Sequence, residues 1–145
     1  MRMEINQVGY HHETDIRVRF CETDANQHVS QASYAIYFEE ARTAFLESLS
    51  GPQFHWWADD HTLVLAQQCL MYRKPAFFRQ TLTIYSAAKR IGRSSLDLMH
   101  MAVLRGNPES VIAESTSTVV LINSETNQSM PWPDEFRRRV STMLS

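Results

Sequence analysis

The segment Asp24-Ala25-Asn26-Gln27-His28-Val29-Ser30-Gln31 places three groups able to act on protons or carbonyls, Asp24, Asn26 and His28, within five residues. A carboxylate held beside an electrophilic carbonyl can serve as nucleophile or as general base. The pattern that follows is helical. The N–H groups of a helix's first turn have no intrahelical acceptor and carry partial positive charge. Those N–H groups can therefore stabilise the charge that develops on an attacked carbonyl oxygen. The same residue types also cap helices and form turns, so residue type alone leaves a catalytic loop and a structural loop both open.

Other constellations carry less. His11 and His12 are adjacent, and Cys21, Cys69, His55, His61 and His100 show no zinc-type spacing, so no metal site is expected. Cys21 is expected to be a small buried apolar residue. Arg137-Arg138-Arg139 on a terminal helix reads as a solvated face, and a formal net charge of −2 argues against a nucleic-acid partner.

The elements that must position the loop follow from periodicity. Ile16, Val18 and Phe20 alternate with Arg17 and Arg19, which predicts a strand over Thr14 to Phe20. Tyr34, Tyr37, Phe38, Ala41, Phe45 and Leu49 then recur every three or four residues, one apolar face of a helix of about five turns. Ser30 is its expected N-cap and Gly51-Pro52 its end. Glu39, Glu40, Arg42, Thr43 and Glu47 fall on the other faces. After an aromatic connection come four strand-like runs: Thr62–Arg73, Gln80–Arg90, Ser94–Leu104 and Val111–Ile122. Gly92 and Gly106-Asn107-Pro108 mark turns between the later ones, which makes those neighbours antiparallel hairpins. Pro131-Trp132-Pro133-Asp134-Glu135-Phe136 opens a short terminal helix, with Phe136, Val140, Met143 and Leu144 as its stripe.

This order predicts an α+β fold: a long central helix wrapped by a curled, mainly antiparallel sheet of about five strands, then a short C-terminal helix. Residues 1–145 read as a single domain. With 43% hydrophobic and 21% charged residues the chain has the composition of a globular protein and not of a disordered one. No apolar run is long enough to span a membrane. Two cysteines and no apolar leader give a cytoplasmic expectation.

The run Val18 to Val29, followed by Tyr34 and Phe38-Glu39-Glu40-Ala41-Arg42, resembles the hotdog-fold acyl-CoA thioesterases of the 4-hydroxybenzoyl-CoA thioesterase type. Their pattern is a strand, Asp-x-x-Gly-His-Val-Asn-Asn, then a helix with Tyr and Glu-x-x-Arg. The resemblance extends through Arg73-Lys74-Pro75-Ala76, the Gly92-Arg93-Ser94-Ser95 turn and the terminal helix. It implies that Asp24 is the nucleophile or the base activating water, that the Gln31 N–H polarises the thioester carbonyl, and that His28 shapes the site. Tyr34 and Arg42 match helix positions with packing roles. Gln27 stands where the family has Gly, and Ser30-Gln31 where it has Asn-Asn, which implies a somewhat different loop. Asp24-x-Asn26-Gln27-His28-Val29 is also similar to the motif of plant acyl-carrier-protein thioesterases, where Asp, Asn and His all take part. That adds Asn26 as an orienting group.

The resemblance further implies an acyl-CoA substrate with no separate cofactor. Arg73, Arg90, Arg93 and Ser94 are the expected contacts for coenzyme A, against the alternative that such cations only guard strand edges. Trp57, with Phe54 and Trp56, is expected at the acyl pocket, or else in the core or a lid. Two rival functions stand beside hydrolysis: hydration or dehydration of an acyl thioester, and acyl-CoA binding without turnover. One curled sheet leaves strand edges unfinished, so a homodimer or dimer of dimers with the site at the seam is expected.

Overall fold

The computed structural model describes residues 9–50 and 58–144. Five strands form one antiparallel sheet: β1 (His12–Arg17), β2 (His61–Tyr72), β3 (Thr81–Ile91), β4 (Ser95–Leu104) and β5 (Asn107–Asn123). Their spatial order is β1-β3-β4-β5-β2, so β1 and β2 are the edges. The long helix α1 (Gln31–Leu49) lies against β1, β3 and β4 and leaves its flank toward β2 open. A second helix, α2 (Asp134–Leu144), closes the chain. This is the helix-in-sheet arrangement of the hotdog fold. Among the described residues no helix is long and apolar enough to cross a membrane.

The helical stripe read from the sequence is the core. Tyr34, Tyr37, Phe38, Ala41, Phe45 and Leu49 are all buried, against Leu82, Ile84, Leu96, Leu98 and Ala102 from the sheet. Truncating a residue such as Phe38 to alanine would cost about 3–5 kcal/mol, the range for an aromatic side chain in a packed core. The predicted cap position, Ser30, begins the helix, but its hydroxyl meets Ser33 Oγ at 2.9 Å and does not cap a backbone N–H. The predicted stop at Gly51-Pro52 lies outside the described residues.

Four expectations change. First, β1 ends at Arg17, and Phe20–Glu22 forms a 3-10 turn. The Glu22 carboxylate takes the Arg19 backbone N–H at 2.7 Å and folds the chain back on itself. Val18 stays buried while Phe20, expected inside, is 74% exposed and meets Phe78 edge-on. Second, β5 starts four residues earlier than expected. Leu104 pairs with Asn107 across the turn, and Gly106 adopts φ 82° there. Pro108 is tolerated because β2 reaches along β5 only to Ala113, so its missing N–H breaks no ladder bond on that side. Third, Cys21 is exposed and not buried, while Arg42, matched to a packing position, is buried.

The fourth is the arginine run. Arg139 Nη1 donates to the carbonyls of Leu49 (2.7 Å) and Ser50 (3.3 Å), so it caps the C-terminus of α1. Arg137 Nη2 donates to the carbonyls of Gly92 (2.7 Å) and Arg93 (3.1 Å) in the β3–β4 turn. The run therefore fastens α2 to the rest of the fold.

Candidate active site

The loop before α1 is built from hydrogen bonds within a few residues. The N–H of Gln27 donates to the Asp24 carbonyl at 2.9 Å, and the N–H of Asn26 donates to Asp24 Oδ1 at 2.9 Å. Asp24 N–H donates to the His28 carbonyl at 2.9 Å, closing a small hairpin in which Thr23 bridges Val29. Gln27 takes φ 66°, the left-handed conformation that glycine adopts freely. The expectation of a different loop is thus corrected: the turn keeps the glycine conformation with glutamine in it. A side chain with a Cβ is strained there by roughly 1–2 kcal/mol, and the surrounding hydrogen bonds hold it.

The loop is then fastened on both sides. Val29 N–H donates to the Ala76 carbonyl (2.8 Å), and His28 bridges Phe77, whose ring it meets edge-on at 5.0 Å. On the other side Ser30 N–H (2.9 Å) and Ser33 Oγ (3.0 Å) both donate to the Glu22 carbonyl. The Glu22 carboxylate, buried, accepts from Tyr37 Oη (2.9 Å) and from Arg19 Nε and Nη2 (3.2 and 3.0 Å). Burial pushes this carboxyl up. The hydrogen bonds from Arg19 and Tyr37 and the Arg19 charge outweigh it, and Glu22 sits below the ordinary carboxylate range. Tyr37 is held well above its ordinary value, first by burial and then by its bond to Glu22. Sequence reasoning missed Glu22. Only its place two residues before Asp24 pointed to it.

Asp24, His28, Val29 and Gln31 open onto a cleft of about 350 Å³ whose other wall is Tyr34, Tyr72, Arg73, Lys74 and Pro75. Gln31 is the first residue of α1, so its N–H has no intrahelical acceptor and lies where the helix dipole is positive. A carboxylate and an oxyanion donor thus share one open pocket. Tyr34 and Tyr72 meet edge-to-face at 5.5 Å and give it an apolar wall. Tyr72 had no sequence signal apart from its place at the end of a strand.

The other expected residues are placed differently. Asn26 supplies its backbone to Asp24, while the residue is exposed and its side chain does not line the cleft. Arg73 lines the cleft, yet its guanidinium is engaged with the fully buried Glu114, Nε and Nη2 each 2.9 Å from Oε2. Lys74 brings a second cation to the same wall. Arg90, Arg93 and Ser94 sit around the β3–β4 turn; Arg93 Nη1 donates to the buried Ser94 Oγ at 3.2 Å. Along β4 that turn and the cleft are separated by the stretch from Leu96 to Ala102, about 20 Å of strand. One chain therefore does not bring these three residues to Asp24. Trp57, Trp56 and Phe54 lie outside the described residues. Among the described residues no group of three His, Cys, Asp or Glu side chains is arranged to hold a metal.

The arrangement has known counterparts. The chain is 31% identical over 134 residues to the long-chain acyl-CoA thioesterase FadM of Escherichia coli K12, covering 91% of this chain and 98% of that one. It superposes on the PA2801 protein of Pseudomonas aeruginosa with a TM-score of 0.78 at 30% identity, covering 89% and 97% of the two chains. It shares the fold of Slr0204, a 1,4-dihydroxy-2-naphthoyl-CoA thioesterase from Synechocystis, with a TM-score of 0.79 at 14% identity over 89% and 94%. Residues 18–140, from the strand before the Asp24 loop to the buried stripe of α2, match the family model of the thioesterase-like superfamily, and the chain belongs to that family.

Proposed function

We propose that the chain hydrolyses an acyl-CoA thioester to the free acid and coenzyme A, with Asp24 as the reacting carboxylate. The observation that carries this is the shared cleft of Asp24 and the Gln31 helix terminus. In the step proposed, the Asp24 carboxylate either attacks the carbonyl carbon or takes a proton from the water that does. The carbonyl oxygen gains negative charge facing the Gln31 N–H, the C–S bond breaks, and the thiolate of coenzyme A leaves and takes up a proton; on the attack route water then opens the Asp24–acyl anhydride at the Asp24 carboxyl carbon, which frees the acid and restores the carboxylate. A thioester carbonyl is electrophilic enough for one carboxylate, one water and one aimed donor to suffice. The kinship with an acyl-CoA thioesterase supports the choice of substrate.

The edge strand β2 supports a dimer. It runs twelve residues with no strand on its outer side among the described residues, and Val64, Leu65 and Tyr72 are exposed. Such an edge pairs readily with another strand. Antiparallel pairing with a second copy brings the far end of the partner's sheet to the Asp24 end. That is the route by which Arg90, Arg93 and Ser94 of the partner subunit reach a bound coenzyme A.

Thiol release from a panel of short, long and aromatic acyl-CoAs tests the activity. Asp24→Ala should lower kcat at least 100-fold, the usual scale for a lost base or nucleophile; an unchanged rate overturns the assignment. Single-turnover hydrolysis in oxygen-18 water separates direct attack, which first places unlabelled Asp24 oxygen in the product, from water activation. Light scattering should give a dimer, and Val64→Lys should yield monomer.

A further inference from the structure

Among the described residues, five buried side-chain polar atoms have no hydrogen-bond partner: Arg42 Nη1, Gln68 Nε2, His100 Nε2, Ser115 Oγ and Ser117 Oγ. They are not scattered. His100 on β4 lies opposite Ser115 on β5, and Ser117, two residues on, lies opposite Gln68 on β2. Directly opposed side chains sit about 4.5–5.5 Å apart at Cβ. Two residues along a strand is about 7 Å on the same face. The four therefore occupy one patch of the sheet. That face looks toward α1, since Phe38 packs on the His100 ring at 6.1 Å. Arg42 reaches the patch from the helix above, close enough for its charge to act on His100. Burial, then that charge, lowers His100 to about 3, so the ring is neutral at pH 7. His100 Nδ1 is already bonded to Ser86 Oγ at 2.6 Å, which leaves Nε2 facing the patch.

Native cores leave few polar atoms unpaired, and a group of five in one place reads as a binding surface. A cavity meets it at Arg42, the member of the group that lines it. About 300 Å³ of space opens between α1 and β2, lined by Arg42, Leu46, Leu63, Leu65 and Val119, with Glu39 among its polar lining residues. Leu65 pairs with Val119, and the next inward pair in that register is Gln68 with Ser117. The cavity and the Asp24 cleft lie on the same open flank of the helix, between α1 and β2. Gln31 and Arg42 are eleven residues apart, which is about 16 Å of helix.

We propose that this cavity receives the distal end of the acyl chain, and that Arg42 at its wall, with Gln68, His100, Ser115 and Ser117 behind it, selects an acyl group carrying an oxygen acceptor there, a terminal hydroxyl or a terminal carboxylate. The inference rests on the acyl-CoA reading above and names its substrate class. The patch is rich in donors: a guanidinium and an amide NH₂ donate only, and the hydroxyls and imidazole do either. A plain methyl end would leave all of them unpaired, which is how a polar site rejects an apolar analogue. Leu46, Leu63, Leu65 and Val119 give the cavity apolar surface for a chain's methylenes, with Glu39 and Thr43 as its polar residues besides Arg42.

The test is a comparison of kcat/KM for length-matched acyl-CoAs ending in methyl, hydroxyl and carboxylate, over a series of chain lengths. Wild type should favour an oxygen-ended chain at least tenfold over the methyl-ended one at its best length, and carboxylate against hydroxyl identifies which oxygen it reads. Arg42→Met should reduce that ratio at least tenfold. Should Arg42→Met fail to fold, Ser117→Ala and Gln68→Leu read the same ratio with less disturbance, and each should reduce it. A wild-type preference for methyl ends, or variants that lower all substrates alike, overturns the proposal and leaves the patch as a site for water. No thiol release from any substrate would defeat the hydrolase reading instead. Equilibrium binding of the non-hydrolysable thioethers of the same three chains then decides the pocket, and equal affinities overturn it.

Discussion

Two buried polar regions pack against α1, one near its N-terminus and one near its middle, and they differ in one respect. Around Glu22 every polar group has a partner: Arg19 and Tyr37 on the carboxylate, Ser30 and Ser33 on the carbonyl. Around Arg42 five polar atoms have none. A satisfied network in a low-dielectric interior is rigid and specifies one geometry; a partly satisfied one costs stability unless something else completes it. The first region holds still the loop that carries Asp24. The second is shaped to be completed by a ligand. If that contrast is real, the two should respond to perturbation with different sizes, signs and pH windows.

The largest expected effect is in acid. His100 is lowered to about 3 when folded, against an ordinary value near 6.5. The unfolded chain therefore binds the proton first. The contribution of His100 to stability is complete above about pH 6.5 and is lost as pH falls toward 3, at about 1.4 kcal/mol per pH unit. Between pH 6.5 and 4.5 that is roughly 3 kcal/mol. Glu22, lowered when folded, works in another window. Its contribution is present above its unfolded value of about 4.3 and disappears only as pH falls through its lower folded value. Urea denaturation from pH 7 to 3.5 should show His100→Gln flattening the limb between 6.5 and 4.5. Glu22→Gln should lower the curve by a constant amount above about 4.5 and change its slope only below that. A His100→Gln curve parallel to wild type would erase the distinction.

Next in size is the closed network itself. Glu22→Ala removes the acceptor of the buried Tyr37 hydroxyl and the partner of Arg19. Leaving a buried donor unsatisfied costs about 1–3 kcal/mol, so a loss of about 2 kcal/mol, or roughly 4–8 °C in Tm for a chain of this size, is expected. The Arg19 charge adds little, because its side chain is largely exposed. Tyr37→Phe, which removes donor rather than acceptor, should cost less. A Glu22→Ala protein as stable as wild type would mean that the loop is held by its backbone bonds alone.

The open region should answer with the opposite sign. Ser117 Oγ is buried without a partner, so its burial is a cost that alanine does not incur. Ser117→Ala should be neutral or stabilising by up to about 1 kcal/mol. Calorimetry of the ligand-free protein checks this. A loss above about 1 kcal/mol would mean that Ser117 has a structural partner and that the region is closed like the other.

Much of the Asp24 region was legible because its signals are local. The Asp24–Gln31 spacing, the change of period at Tyr34 and the cap position at Ser30 all lie within a dozen residues, and the helix begins where they say. The second region was not legible, for a physical reason. Arg42 fell outside the apolar stripe of the helix, and nothing in the sequence showed which polar groups it would be buried among. His100, Ser115, Ser117 and Gln68 span some fifty positions of sequence and meet only through the β4–β5 and β2–β5 registers. Phe20 failed for a smaller version of the same reason. Its alternation with Ile16 and Val18 is genuine, but the bond from Arg19 N–H to Glu22 ends the strand before the period reaches it. Arg90 and Arg93 were placed by resemblance at a turn that one chain keeps away from Asp24.

The smallest expected effect lies within the closed region and asks whether even there every position is at its optimum. Gln27 holds φ 66° in a loop whose hydrogen bonds are otherwise complete. Gln27→Gly relieves a left-handed strain of about 1 kcal/mol, while glycine's greater freedom in the unfolded chain takes back some tenths of that. A net gain of about 0.5 kcal/mol, or 1–2 °C in Tm, is expected. A loss on Gln27→Gly would mean that the glutamine side chain contributes contacts worth more than the strain. In that case the loop depends on its side chains as well as on its backbone ring, and the closed region extends one residue further toward the cleft.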